Sequence, residues 1–159
     1  MSARWVLVDG YSLVHAWPVL QRLAGRKLEQ RREVLLRILR QYADHSHRRV
    51  TVVFDAYAVK RKVEPVGPEQ GIEVVFSGAG KTADDVIERL VAQSDHREHI
   101  LVVSSDNMVR QTCETLGALS TSAEVFETEV QATLKELAGL VRDHTRRRRI
   151  GSLRERLEG

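Results

Sequence analysis

Apolar residues are arranged along this chain in two ways. Four short runs rich in valine and isoleucine, at 5–8, 50–54, 72–76 and 100–103, are nearly continuous. Unbroken runs of that length suit strands buried on both faces, where no polar alternation is needed. Between and after them, apolar positions recur every three or four residues instead. The stretch 27–45 carries Leu28, Leu35, Ile38, Leu39 and Tyr42 at that spacing, and 82–93 carries Val86, Ile87, Leu90 and Val91. A third helical stretch, 107–116, is stopped at Gly117, and a fourth, 124–144, is long, amphipathic and preceded by Ser122 as its cap. Strands alternating with helices predict an α/β domain of three layers (α/β/α) around a central, mainly parallel sheet. The segment 56–71 holds Pro65, Gly67 and Pro68 among charges, which predicts a long exposed loop of the kind that often carries function.

Composition narrows the class. A length of 159 residues is that of one domain, assigned here to 1–144, with 145–159 as a basic helical extension or tail. At 42% hydrophobic residues the chain can bury a core, yet it has no membrane-length apolar run. Its first residues enter a strand-like run directly, without the regions of a signal peptide. Cys113 is the single cysteine and lies in a helical apolar pattern, so it is expected in the core. The lack of a disulfide framework fits a reducing cytoplasm. Net charge is only +3, but the positive charge is clustered, in Arg48-Arg49, Lys60-Arg61-Lys62 and Arg146-Arg147-Arg148-Arg149. Four consecutive arginines point toward a phosphate backbone as partner, with salt-sensitive affinity.

The acids change the picture more. Asp9 ends the first strand run, Asp55 the second, and Asp106 follows the fourth, while Asp84 and Asp85 open the helix after the third. In a parallel sheet the carboxyl ends of the strands share one edge, and ligands bind in the crevice there. Acids distant in sequence are thereby predicted to converge. Clustered carboxylates raise one another's pKa unless a cation neutralises them, and hard oxygen donors suit Mg²⁺ or Mn²⁺. Such a cation can activate water and stabilise charge in a displacement at phosphorus. The plainer interpretation is that each aspartate merely forms a turn or caps a helix, and Asp85, three residues after Thr82, has the spacing of a capping box. Adjacent helical residues point ~100° apart, so Asp84 and Asp85 cannot face one ion equally.

The motifs Asp9-Gly-Tyr-Ser12, His15-Ala-Trp-Pro18, Phe54-Asp-Ala-Tyr57, Thr82-Ala-Asp-Asp-Val-Ile87 and Ser105-Asp106 with Gln111 occur in an order that resembles the YacP-like NYN domains, a branch of the PIN-like nucleases. The resemblance spans roughly residues 4–140. It implies the three-layer PIN-like (NYN) fold and Mg²⁺- or Mn²⁺-dependent cleavage of RNA, with ribosome-associated mRNA as a possible setting. By motif position it implies Asp9, Asp84, Asp85 and Asp106 as catalytic and metal-holding residues. One position departs from the pattern: the first motif usually ends in Asn, and this chain has Ser12, a shorter hydroxyl that is alternatively the N-cap of the next helix.

Around this core, Ser12, Asp55, Lys81 and Thr82 are expected to support the site or position substrate. Tyr11 and His15 are candidates for stacking on a single-stranded base, whereas Trp17 is expected to pack the first helix. Lys60, Arg61, Lys62 and Arg146–Arg149 are the expected RNA-binding cations. Gly78-Ala-Gly-Lys-Thr82 imitates the end of a phosphate-binding P-loop, but Val75 stands where that motif needs glycine. Tyr11 occupies the place of the second aspartate of an aspartyl phosphatase, and no dinucleotide fingerprint follows the first strand. His45 and His47 lack further ligands at zinc spacing. The leading expectation is therefore a metal-dependent endoribonuclease acting on RNA. A non-catalytic RNA- or ribosome-binding module of the same fold is the rival, and a P-loop-like NTPase the more distant one.

Overall fold

Five strands pair in the order β3-β2-β1-β4-β5 in the computed structural model, which describes residues 3–55 and 71–158. The strands are β1 (Trp5–Asp9), β2 (Arg49–Phe54), β3 (Ile72–Phe76), β4 (Ile100–Val103) and β5 (Leu119–Thr121), and every pairing is parallel. β1 is central: Trp5 registers with Arg49 on one side and Ile100 on the other. Its residues alternate between two cores because side chains of a strand point to opposite faces. Val6 and Val8 join Leu13, Leu35, Leu39 and Phe126 on one face, whereas Leu7 joins Ile87, Val102, Val109 and Cys113 on the other. The helices are α1 (Gly10–Ala16), α2 (Pro18–Gln21), α3 (Leu28–Ser46), α4 (Ala83–Gln93), α5 (Asn107–Thr115) and α6 (Ala123–Glu158). α1, α2, α3 and α6 cover the first face and α4 and α5 the second, which makes the expected three-layer α/β/α arrangement.

The four strand runs and four long helices predicted from periodicity are present within one or two residues, except at two places. β5 is absent from the sequence reading, and α6 continues without a break past residue 144 to Glu158. Ser122 accepts the Val125 N–H and caps α6 as expected, and beyond residue 139 the helix is exposed throughout its described side chains. Cys113 is buried, and burial pushes its thiol up to about 11. Trp17 is buried too, donating its indole N–H to the Ala123 carbonyl. The expected loop from 56 onward, with Lys60, Arg61 and Lys62, lies outside the described residues apart from Gly71. No helix among the described residues is long and apolar enough to cross a membrane.

β1 passes into α1 with no intervening loop, and Gly10 allows it. A Cβ there would stand 2.2 Å from the Phe54 ring, so only glycine fits between the two strands' ends. This tight turn fixes Asp9 at the sheet edge.

Candidate active site

The strand order 3-2-1-4-5 reverses direction at β1, between β1 and β4, and a crevice opens there at the carboxyl edge. A cleft of about 540 Å³ occupies that position. Asp9, Asp55, Asp84 and Asp106 all line it, together with Tyr11, Ser12, His15, Ala16, Leu28 and Ser105. The convergence expected from the sequence is therefore real for four of the five acids.

Each acid is held by a different local device. Asp9 is the N-cap of α1, its Oδ1 accepting the Ser12 N–H at 3.5 Å. Ser12 is thus inside the helix and not its cap. Its hydroxyl donates to Asp9 Oδ2 at 2.9 Å and accepts the Ser105 N–H at 3.1 Å, which ties β1 to the turn after β4. Asp106 is the N-cap of α5, with Oδ1 accepting from Met108 N at 2.8 Å and Val109 N at 3.4 Å. Capping and a place in the cleft are compatible uses of the same side chain. Asp55 accepts the Ala83 N–H at 2.6 Å and so anchors the first turn of α4, next to Asp84.

The adjacent pair divides as helix geometry requires. Asp84 faces the cleft, whereas Asp85 does not line it. Thr82 and Asp85 form a complete capping box: Thr82 Oγ1 accepts the Asp85 N–H at 3.2 Å and Asp85 Oδ2 accepts the Thr82 N–H at 3.1 Å. Those hydrogen bonds from Thr82 hold the exposed Asp85 carboxyl below its ordinary range. Asp84 behaves in the opposite way. Burial first, then the charges of Asp9, Asp106, Asp55 and Glu88, push it up to about 6. Burial also raises Asp9, against the lowering effect of its bonds from Ser12. The cleft is a place where negative charge is crowded and poorly solvated.

That crowding fits a hard divalent cation, for which carboxylate oxygens are the proper donors. Among the described residues no group of three or more Asp, Glu, His or Cys side chains is gathered closely enough to hold a metal ion by itself. Asp9, Asp84 and Asp106 line the cleft together and would be the carboxylates that such an ion meets there.

Of the other expected residues, Tyr11 and His15 line the cleft, their ring centroids 6.3 Å apart, with His15 exposed and Tyr11 mostly buried. Lys81 is exposed in a turn closed by its N–H to the Gly78 carbonyl, and neither it nor Thr82 lines the cleft. The P-loop-like segment is thus a turn leading into the capped α4, with Asp84 just beyond it. Arg146–Arg149 lie on the exposed part of α6, outside the cleft lining. One residue escaped the sequence reading. Arg32 is buried, and its Nη1 donates to the Tyr11 hydroxyl at 3.1 Å. A signal for it was present, since Arg32 interrupts the otherwise apolar stripe of Leu28, Leu35, Leu39 and Tyr42.

Comparison with known proteins agrees with this architecture. The family model for the YacP-like NYN domain matches residues 6–158. The uncharacterised protein YacP of Bacillus subtilis (strain 168) is 34% identical over 149 residues, covering 93% of this chain and 87% of that protein. The chain is similar in structure to Rae1 (YacP) from Bacillus subtilis, with a TM-score of 0.76 and 32% identity over 96% of this chain and 87% of that one. A point mutant of the same protein gives a TM-score of 0.76 and 32% identity over 91% and 84% of the two chains. By sequence and by fold alike, this chain belongs to the YacP-like NYN domain family, a nuclease-like, PIN-like group associated with RNA.

Proposed function

We propose that the protein is an endoribonuclease that depends on Mg²⁺ or Mn²⁺ and cuts single-stranded RNA. The observation that carries this reading is the meeting of Asp9, Asp84 and Asp106 at the switch point of the sheet, with Asp84 pushed up to about 6. A divalent cation held by them supplies a Lewis acid that acidifies water and offsets charge developing at phosphorus. The protein's own residues do the placing. Ser12 orients Asp9 and links it to Ser105, while Asp55 fixes the start of α4 and so the position of Asp84. Tyr11 and His15 offer rings at the cleft for an unstacked base. Asp85, occupied in the capping box, supports the helix on which Asp84 is carried. The arginines of α6 attract the phosphate backbone from outside the cleft, and the family resemblance suggests mRNA, including mRNA on ribosomes, as the setting.

The test is direct. Purified protein is incubated with labelled single-stranded RNA in Mn²⁺, Mg²⁺ or chelator. Internal cleavage that needs the cation and is lost in folded Asp9→Asn, Asp84→Asn and Asp106→Asn variants supports the reading. Tight RNA binding without cleavage, in either metal and across several RNAs, overturns it in favour of a binding module.

A further inference from the structure

A cleft whose charged walls are acidic is a poor host for a polyanion unless cations are added to it. Among the described residues its lining contributes four aspartates and neither lysine nor arginine. A cation does stand directly behind one wall. Arg32 lies one helical turn after Leu28, donates to the Tyr11 hydroxyl at 3.1 Å, and both Leu28 and Tyr11 line the cleft. Arg32 is only 8% exposed, so a cationic guanidinium is carried almost out of solvent.

Its surroundings do not account for that charge. Among the described residues no carboxylate pairs with Arg32: its neighbours are the Tyr11 hydroxyl and the Phe54 ring, whose centroid is 6.0 Å from Cζ. Burying a guanidinium without a counter-charge is costly, and an apolar side chain of similar volume usually does as well or better. An apolar residue would also continue the stripe of Leu28, Leu35, Leu39 and Tyr42 along α3. Among the described residues no anion compensates Arg32, whereas a phosphodiester would bring one.

We infer that Arg32 and Tyr11 together form a phosphate-binding position of the cleft, taking a phosphodiester of the RNA strand beside the aspartates. A phenol both accepts and donates. With Arg32 bonded to its oxygen, the Tyr11 hydroxyl is free to direct its own proton to a phosphate oxygen, and the fixed charge behind it strengthens that bond. Arg32 is in this sense a positioning residue that acts through Tyr11. The inference rests on the nuclease reading only for the identity of the anion.

The experiment separates the two. Binding of a fluorescein-labelled single-stranded RNA is followed by anisotropy in chelator, for the wild type and for Arg32→Met, Arg32→Lys and Tyr11→Phe, with thermal melting of each. Removal of a charge-assisted hydrogen bond predicts binding weaker by about tenfold or more in Arg32→Met. The slope of log affinity against log salt should fall by about 0.7, the value for one phosphate on a single strand. Melting of Arg32→Met should be unchanged or higher, because an uncompensated buried charge is gone, and Arg32→Lys should recover part of the affinity. Tyr11→Phe should weaken binding and also lower melting, because it leaves the buried Arg32 without the hydroxyl that accepts its N–H. In Mn²⁺, KM should rise by a larger factor than kcat falls. Wild-type affinity and salt slope in Arg32→Met, or a large drop in its melting with binding intact, overturns the inference and makes Arg32 a packing residue. Should Arg32→Met not fold, unaltered binding in both Arg32→Lys and Tyr11→Phe overturns it equally. A wild type that never cuts RNA, yet loses binding on Arg32→Met, sinks the nuclease reading and leaves this one standing.

Discussion

Ser12 donates its hydroxyl proton to Asp9 Oδ2 across 2.9 Å, and the same hydroxyl oxygen accepts the Ser105 N–H at 3.1 Å. The serine that departs from the family's usual asparagine thus joins the first acid to the turn that carries Asp106. Removing the hydroxyl leaves Asp9 less well oriented and Ser105 N–H without its acceptor. Ser12→Ala should lower stability by about 1–2 kcal/mol, the range for losing one hydrogen-bonding partner, and should lower kcat in Mn²⁺. Ser12→Asn, whose amide both donates and accepts, should retain more of both than Ser12→Ala. Chemical denaturation and single-turnover cleavage check the pair, and equal losses in the two variants would count against the bridging role.

Asp84 and Asp85 should part company under mutation. Asp85→Ala removes half of a capping box and should lower stability slightly, while the folded protein still cleaves RNA within a few-fold of wild type. Asp84→Asn should abolish cation-dependent cleavage while the fold persists. Cleavage that survives in Asp84→Asn but vanishes in folded Asp85→Ala would reverse the assignment.

Asp84 also gives the protein a characteristic pH response. The folded protein holds its proton more tightly than the unfolded chain does, with a value of about 6 against 3.8. Its contribution to stability is fully present below about pH 4 and is lost as pH rises through about 6. In chelator, the melting temperature of Asp84→Asn relative to wild type should therefore climb between those pH values and level off above them. Mn²⁺ should raise wild-type melting at pH 7 far more than at pH 4.5, because protons and the cation compete for the same oxygens. A relative melting temperature that stays flat across this range would show that Asp84 is not the crowded acid of the cleft.

Gly10 admits no side chain against Phe54. Gly10→Ala forces the ring or the strand end to move, and overpacking of this kind typically costs about 1–3 kcal/mol. The shift would displace Asp9, so thermal melting and cleavage should fall together.

Replacing Arg146–Arg149 with glutamine should leave melting within about 0.5 kcal/mol of wild type, as is usual for exposed substitutions. RNA affinity should fall and its salt slope flatten, by about 0.7 for each single-strand phosphate that the arginines no longer neutralise. An unchanged slope would remove these arginines from the RNA-binding surface.

What could be read in advance divides along physical lines. Asp9 and Asp106 were visible because each follows a buried apolar run, and a parallel sheet brings such ends together. β5 was not, because Leu119-Ser-Thr is three residues long and Leu119 is exposed, so it makes no apolar run at all. Helix angles foretold that Asp84 and Asp85 must differ, but choosing between them needed the Thr82 cap geometry. The anchoring of α4 by Asp55 depends on a hydrogen bond across 28 positions of sequence, which no local pattern encodes. Arg32 was written in the stripe of α3 as a charge among apolar residues, a signal that is easily passed over in a helix rich in arginine.

The central place of β1 sets the order in which this molecule can come into being. Its neighbours β2 and β4 come far later in the chain, and parallel partners of that kind pair slowly. A growing chain that has emerged only as far as α4 already contains Asp9, Asp55 and Asp84, yet lacks the strand and the turn that bring Asp106 beside them. The cleft is accordingly complete only once β4 and the turn into α5 have been made, and a fragment that ends after α4 carries three of its acids without the fourth.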